Sequence, residues 1–121
     1  MEKKRILVAD DDQATRETLL ELLTDEEYDV AVAADGQEAV AQLSSFQPDL
    51  VLTDFNMPGL DGMDVLAHVK NVYPTTPVII FTADTTMDAK RRAHALGVQD
   101  YLNKPLDLTD TLKRIAHALT P

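Results

Sequence analysis

Short apolar runs alternate along this chain with segments whose apolar residues return every three or four positions. Five runs read as strands: Arg5-Ile6-Leu7-Val8-Ala9, Val30-Ala31-Val32-Ala33, Leu50-Val51-Leu52-Thr53, Val78-Ile79-Ile80-Phe81-Thr82 and Asp100-Tyr101-Leu102-Asn103. The runs starting at Ile6, Leu50 and Val78 are apolar on both faces, the pattern of central strands in a parallel sheet that helices cover on both sides. The other two belong at the edges. Helical spacing marks the segments between them: Leu19, Leu22 and Leu23; Ala39, Val40 and Leu43; Val65, Leu66, Val69 and Val72; and, at the end, Leu108, Leu112, Ile115 and Leu119. A further helix, from about Thr86 to Leu96, offers Met87, Ala89, Ala93 and Leu96 beside the basic run Lys90-Arg91-Arg92. Its narrow apolar stripe predicts the weakest packing of the five. Asp35 and Glu38 have the spacing of a capping box, Asp107 and Asp110 approximate one, and Gly97 supplies a helix stop.

Five βα units with right-handed crossovers leave few topologies. The expectation is one α/β domain spanning residues 1–121, a doubly wound parallel sheet of order 2-1-3-4-5. In such a sheet ligands bind beyond the carboxyl ends of the strands where strand order reverses, here between strands one and three. The chemistry is therefore expected just after Ala9 and Thr53.

Composition narrows the classes. The 121 residues include 21 acidic and 11 basic side chains, a net charge of −10 with His neutral. A chain of this length removes roughly two-thirds of its unfolded surface from water, enough for a core without covalent staples. The absence of cysteine excludes disulfide frameworks, thiolate metal sites and cysteine nucleophiles. No apolar run approaches the ~20 residues of a membrane span. After Lys3-Lys4-Arg5 only Ile6-Leu7-Val8-Ala9 precedes the first aspartates, too short for the core of an export signal, so a cytoplasmic location is expected. A pI near 4.5 argues against direct nucleic-acid binding, which depends on clustered Lys and Arg.

The polar residues that end the strands carry the chemistry. Asp10, Asp11 and Asp12 follow strand one, Asp54 follows strand three, Thr82 ends strand four and Lys104-Pro105 follows strand five. Carboxylates converging on one crevice repel each other, a cost that a bound cation offsets. Oxygen ligands without His or Cys point to a hard ion, and Mg²⁺ (or Mn²⁺) fits better than Ca²⁺ where few carboxylates share the ion with waters and a phosphate. An ammonium and a hydroxyl beside a carboxylate make a cradle for a phosphoryl group, with Asp54 as nucleophile.

The segments Ile6-Leu7-Val8-Ala9-Asp10-Asp11, Asp54-Phe55-Asn56-Met57-Pro58-Gly59-Leu60-Asp61-Gly62, Phe81-Thr82-Ala83 and Tyr101-Leu102-Asn103-Lys104-Pro105, in this order and spacing, resemble the response-regulator receiver domains of two-component signalling. The resemblance covers nearly the whole chain. It implies a flavodoxin-like fold, Asp54 as phosphoacceptor, and Asp10, Asp11, Asp54 and the Asn56 backbone carbonyl as ligands of Mg²⁺. It further implies that Thr82 and Lys104 contact the phosphoryl oxygens and that Tyr101 moves inward as a switch. The surface of helix four, strand five and helix five would then signal to a downstream partner. The implied phosphodonor is a sensor histidine kinase or phosphotransfer protein, and homodimerisation on phosphorylation is compatible with the family. Such a domain catalyses only its own phosphoryl transfer and dephosphorylation. Lys104-Pro105 falls where the family has a cis peptide, Leu106 stands where many members have Phe, and Asn56 and Asp84 lie near the expected phosphoryl site. Arg16 falls in register when Asp10 and Asp11 are taken as the acidic pair.

Each feature has a plainer reading. Three aspartates before a helix commonly form a solvated cap, and Asp12 is placed to be one. Asn56-Met57-Pro58-Gly59 alone is a turn. Thr82 alone is a strand terminus, Lys104 alone a surface charge, and Tyr101 alone an edge aromatic with a wet hydroxyl. His68, His94 and His117 fall on separate helices at no ligand spacing. Lys90-Arg91-Arg92 is ordinarily a solvated face and otherwise a docking patch. A phosphatase of the haloacid dehalogenase type would want an acid where Asn56 stands, and a flavin carrier would not place three aspartates in its first loop. The nearest rival is a phosphorylation-independent interaction module on the same fold.

Overall fold

The computed structural model describes residues 2–83 and 86–120. Five strands and five helices alternate: β1 (Arg5–Ala9), α1 (Gln13–Asp25), β2 (Asp29–Ala33), α2 (Gly36–Phe46), β3 (Leu50–Asp54), α3 (Gly62–Val72), β4 (Val78–Thr82), α4 (Met87–Ala95), β5 (Asp100–Asn103) and α5 (Leu108–Leu119). All pairings are parallel and the order is β2-β1-β3-β4-β5, as the crossover rule predicts. β2 and β5 are the edges, and β3 runs one residue further than expected, so that Asp54 itself closes the strand.

The continuous apolar runs follow from two cores, one on each face of the sheet. Ile6, Val8, Leu50, Leu52, Ile79 and Phe81 point to one side, where Leu19 and Leu23 of α1 and Ile115 of α5 cover them. Leu7, Ala9, Val51 and Ile80 point to the other, beneath Leu43 of α2, Leu66 and Val69 of α3, and Ala89 and Ala93 of α4. The register sets Ala9 beside Thr53, and Asp54 beside Phe81, which aligns the carboxyl ends of the central strands. Lys104-Pro105 is a cis peptide.

Three expectations need correction. The stripe of α4 is narrower than read: Ala89 and Ala93 are buried, but Met87 is 60% and Leu96 41% exposed. Val72 and Leu108, read as core-facing on α3 and α5, are also exposed. The capping box forms not at Asp35–Glu38 but at the start of α3, where Asp61 accepts from the Asp64 N–H and the Asp64 side chain accepts from the Asp61 N–H. Asp35 does cap α2 through the Glu38 N–H, but the Glu38 side chain accepts from Gln42 on the next turn. Gly97 is the expected stop for α4, with a left-handed φ of +90° that suits glycine.

Candidate functional site

The parallel register sets four polar groups at one edge of the sheet. Asp10 follows β1 and is fully buried, held by its own N–H to the Ala33 carbonyl (3.1 Å) and by the Arg16 guanidinium on its carbonyl (2.8 Å). Asp54 ends β3 and is 5% exposed. Thr82 ends β4 and is buried, and its carbonyl accepts from the Lys104 N–H at 2.8 Å, which ties the start of the β5–α5 loop to β4. Lys104 reaches inward from that loop. Its Nζ lies 3.0 Å from Asp54 Oδ2 and 3.2 Å from Asp10 Oδ2, and 5.2 Å from the centre of the Phe81 ring.

The remaining carboxylate oxygens face backbone donors. Asp10 Oδ1 accepts from the Asp12 N–H (2.8 Å) and Asp54 Oδ1 from the Asn56 N–H (3.3 Å). Burial lifts the Asp10 carboxyl above its ordinary pKa, with the Asp54 charge adding to it, while the Asp12 N–H and the Lys104 ammonium offset part of the rise. At Lys104 burial works against the ammonium, but the bond to Asp54 and the charges of Asp10 and Asp54 outweigh it and raise the pKa. Lys104 therefore stays protonated at neutral pH.

Asp11 projects into solvent, and one carboxylate oxygen from each of Asp10, Asp11 and Asp54 lies within 4.8 Å of the other two. Three carboxylates against one ammonium leave two negative charges. A divalent cation would balance that charge, and an all-oxygen donor set is compatible with a hard ion such as Mg²⁺. Asp12 is the helix cap of the plainer reading. It accepts from the Thr15 hydroxyl (2.6 Å) and N–H (3.1 Å), which lower its pKa.

Asn56 is on the turn between β3 and α3, and with Asp11, Met57, Gly59 and Asp61 it lines a shallow depression beside the carboxylates. That turn is closed by the Gly62 N–H on the Phe55 carbonyl at 2.8 Å. Gly62 packs so closely that an added Cβ would run into the Asp54 carbonyl oxygen and lie 2.8 Å from Phe55 Cα. Tyr101, on the edge strand β5, is buried, 9% exposed, in the core shared by α2, α3 and α4. His68, His94 and His117 are exposed on separate helices, as is the run Lys90-Arg91-Arg92. Asp84 lies outside the described residues.

Sequence reasoning missed two contributors. Phe81 beneath the ammonium reads only as core, and Gly62 reads only as a turn residue. A signal for the second exists, because glycine is a poor choice at the start of a helix unless space forbids a side chain.

No described helix is long and apolar enough to cross a membrane. The family model for the response regulator receiver domain matches residues 6–116. Similar curated proteins include the DNA-binding transcriptional regulator NtrC of Proteus hauseri, 39% identical over 120 residues, 99% of this chain and 25% of that protein. Response regulator MprA of Mycolicibacterium vanbaalenii is 38% identical over 111 residues, 92% of this chain and 48% of that one. The chain thus spans a quarter to a half of these relatives' length. Among solved structures, chemotaxis protein CheY4 of Vibrio cholerae superposes with a TM-score of 0.91 at 30% identity, covering 98% of this chain and 100% of that one. A receiver domain protein of Methanospirillum hungatei gives 0.94 at 28% identity, covering 98% and 94%.

Proposed function

This chain belongs to the response regulator receiver domain family, a family of signalling domains, and on that premise we propose that Asp54 is its phosphoacceptor and residues 1–121 its single receiver domain. One observation carries the reading: a buried carboxylate at the end of a central strand, bonded at 3.0 Å to an ammonium and flanked by two further carboxylates. The proposed donor is the phosphohistidine of a sensor kinase or phosphotransfer protein. Asp54 is the nucleophile. One of its oxygens bonds to phosphorus as the bond from phosphorus to the imidazole nitrogen breaks, and the imidazole leaves with that electron pair and takes up a proton.

Asp10, Asp11, Asp54 and the Asn56 carbonyl are the proposed holders of Mg²⁺, which when bound supplies charge neutralisation for the transferring oxygens. Lys104 contributes a fixed positive charge already aimed at Asp54, so little reorganisation accompanies the transfer. The Thr82 hydroxyl, at the end of the adjacent strand, is the proposed donor to a phosphoryl oxygen. Once Asp54 is phosphorylated, Thr82 and Tyr101 are proposed to relay the new charge to the α4, β5 and α5 surface, where a downstream protein or a second copy docks. The chain's only catalysis in this reading is its own phosphorylation and dephosphorylation.

Intact mass after incubation with Mg²⁺ and acetyl phosphate tests the acceptor. The expected result is a gain of one phosphoryl group, labile to hydroxylamine, abolished by EDTA and absent in Asp54→Asn. A folded protein that gains nothing would replace this reading with a phosphorylation-independent interaction module.

A further inference from the structure

We infer that Gly36, at the first turn of α2, is a positioning residue for the cation site and acts on it through Leu60; the inference rests on Asp10, Asp11, Asp54 and Asn56 being that site. Gly36 is buried in ordinary helical backbone, so its φ does not require glycine. Space does. A Cβ there would run into the Leu60 carbonyl oxygen and lie 2.7 Å from both the Leu60 carbonyl carbon and Leu60 Cβ. Two of these three atoms are backbone and cannot rotate away.

Leu60 belongs to the turn that carries Asn56. The far end of that turn is pinned twice, by the Gly62 N–H on the Phe55 carbonyl and by the reciprocal Asp61–Asp64 box that fixes the start of α3. Its near end is tied by the Asn56 N–H on Asp54. The close approach of α2 is a further restraint, bearing on Leu60 just inside the far end of the turn. With both ends held, any displacement of Leu60 passes into residues 56–59, and Asn56, Met57 and Gly59 share the depression with Asp11. The bare helix start at Gly36 thus sets the distance between the turn and the carboxylates through Leu60 alone, with no contact of its own to the carboxylates. Groups that hold ligands in place from behind commonly matter to a metal site nearly as much as the ligands do.

Mg²⁺ titration of the full chain, followed by the backbone amide shifts of Asp54 and Asn56, tests this. Gly36→Ala forces the contact apart, and Leu60→Gly removes the turn's side-chain half of it with no added bulk. Gly97→Ala is the control: it strains a left-handed residue, but its Cβ would meet only side-chain carbons of Lys70 at 3.6 and 4.0 Å. The expected outcome is a Mg²⁺ midpoint raised about tenfold by Gly36→Ala, raised in the same direction by Leu60→Gly, and unmoved by Gly97→Ala. At saturating Mg²⁺ the phosphoryl gain from acetyl phosphate returns to the wild-type extent. If Gly36→Ala does not fold, Leu60→Gly decides alone. A wild type that titrates, with Gly36→Ala and Leu60→Gly matching it or with Gly97→Ala equally affected, overturns the inference and leaves the cation site standing. A wild type with no Mg²⁺-dependent shift overturns the cation site itself.

Discussion

α3 and α4 follow neighbouring central strands and pack on the same face of the sheet, yet they are held very differently. α3 buries Met63, Val65, Leu66 and Val69, whereas α4 buries two alanines. At about 1.5–3 kcal/mol for each large apolar side chain and about 0.8 for a methyl group, the anchorage of α3 exceeds that of α4 by several kcal/mol. Their starts differ in the same sense. α3 begins with a reciprocal capping box with bonds of 2.9 and 3.0 Å, and α4 with Thr86 Oγ1 accepting from the Ala89 N–H at 3.4 Å. The anchored helix closes the turn that carries Asn56, and the lightly held one borders the surface proposed to answer phosphorylation. Preorganised chemistry needs the first kind of support, and a two-state response draws on the second.

The largest effect is expected on the strongly held helix, α3. Leu66→Ala in α3 is expected to cost about 2–5 kcal/mol in urea unfolding, the range for a buried Leu that leaves a cavity. If it cost no more than a change on α4, the two helices would be equally held. Cation binding should strengthen the same half. At Mg²⁺ one hundred times its Kd the gain is about 2.7 kcal/mol, read as a rise in thermal midpoint that Asp11→Asn largely removes. Asp61→Ala, which deletes the cap of α3, is expected to cost about 1 kcal/mol, and Ala93→Gly at the buried seam of α4 about 0.5–1 kcal/mol. Met87→Ala should stay within about 0.5 kcal/mol, because the side chain is 60% exposed. A larger loss at Met87 would mean that α4 is anchored through a contact other than its alanine seam.

The fold was legible because every central strand is apolar on both faces and segments of helical spacing alternate with the strands, a combination that a doubly covered parallel sheet explains. Asp10, Asp11, Asp54, Thr82 and Lys104 were legible for the same reason, since strand ends locate them once the order is known. Met87 and Leu96 were misread because apolar spacing marks a stripe without saying how wide a seam the neighbours leave. The capping box was misplaced because it depends on where the acid folds back: Glu38 engages Gln42, while Asp64 returns to Asp61. Gly36 and Gly62 were invisible as contacts. Gly36 meets Leu60 on a separate segment and Gly62 meets the far end of its own turn at Asp54 and Phe55, and apolar spacing names neither partner.

Hydrogen exchange with and without Mg²⁺ and beryllofluoride, a phosphoryl analogue directed at the proposed acceptor Asp54, tests the division most directly. Altered exchange is expected across residues 86–97 and at Tyr101, with amides of α3 in residues 65–72 unchanged. Unaltered exchange in 86–97 while the analogue is bound, or a change concentrated in α3, would contradict it.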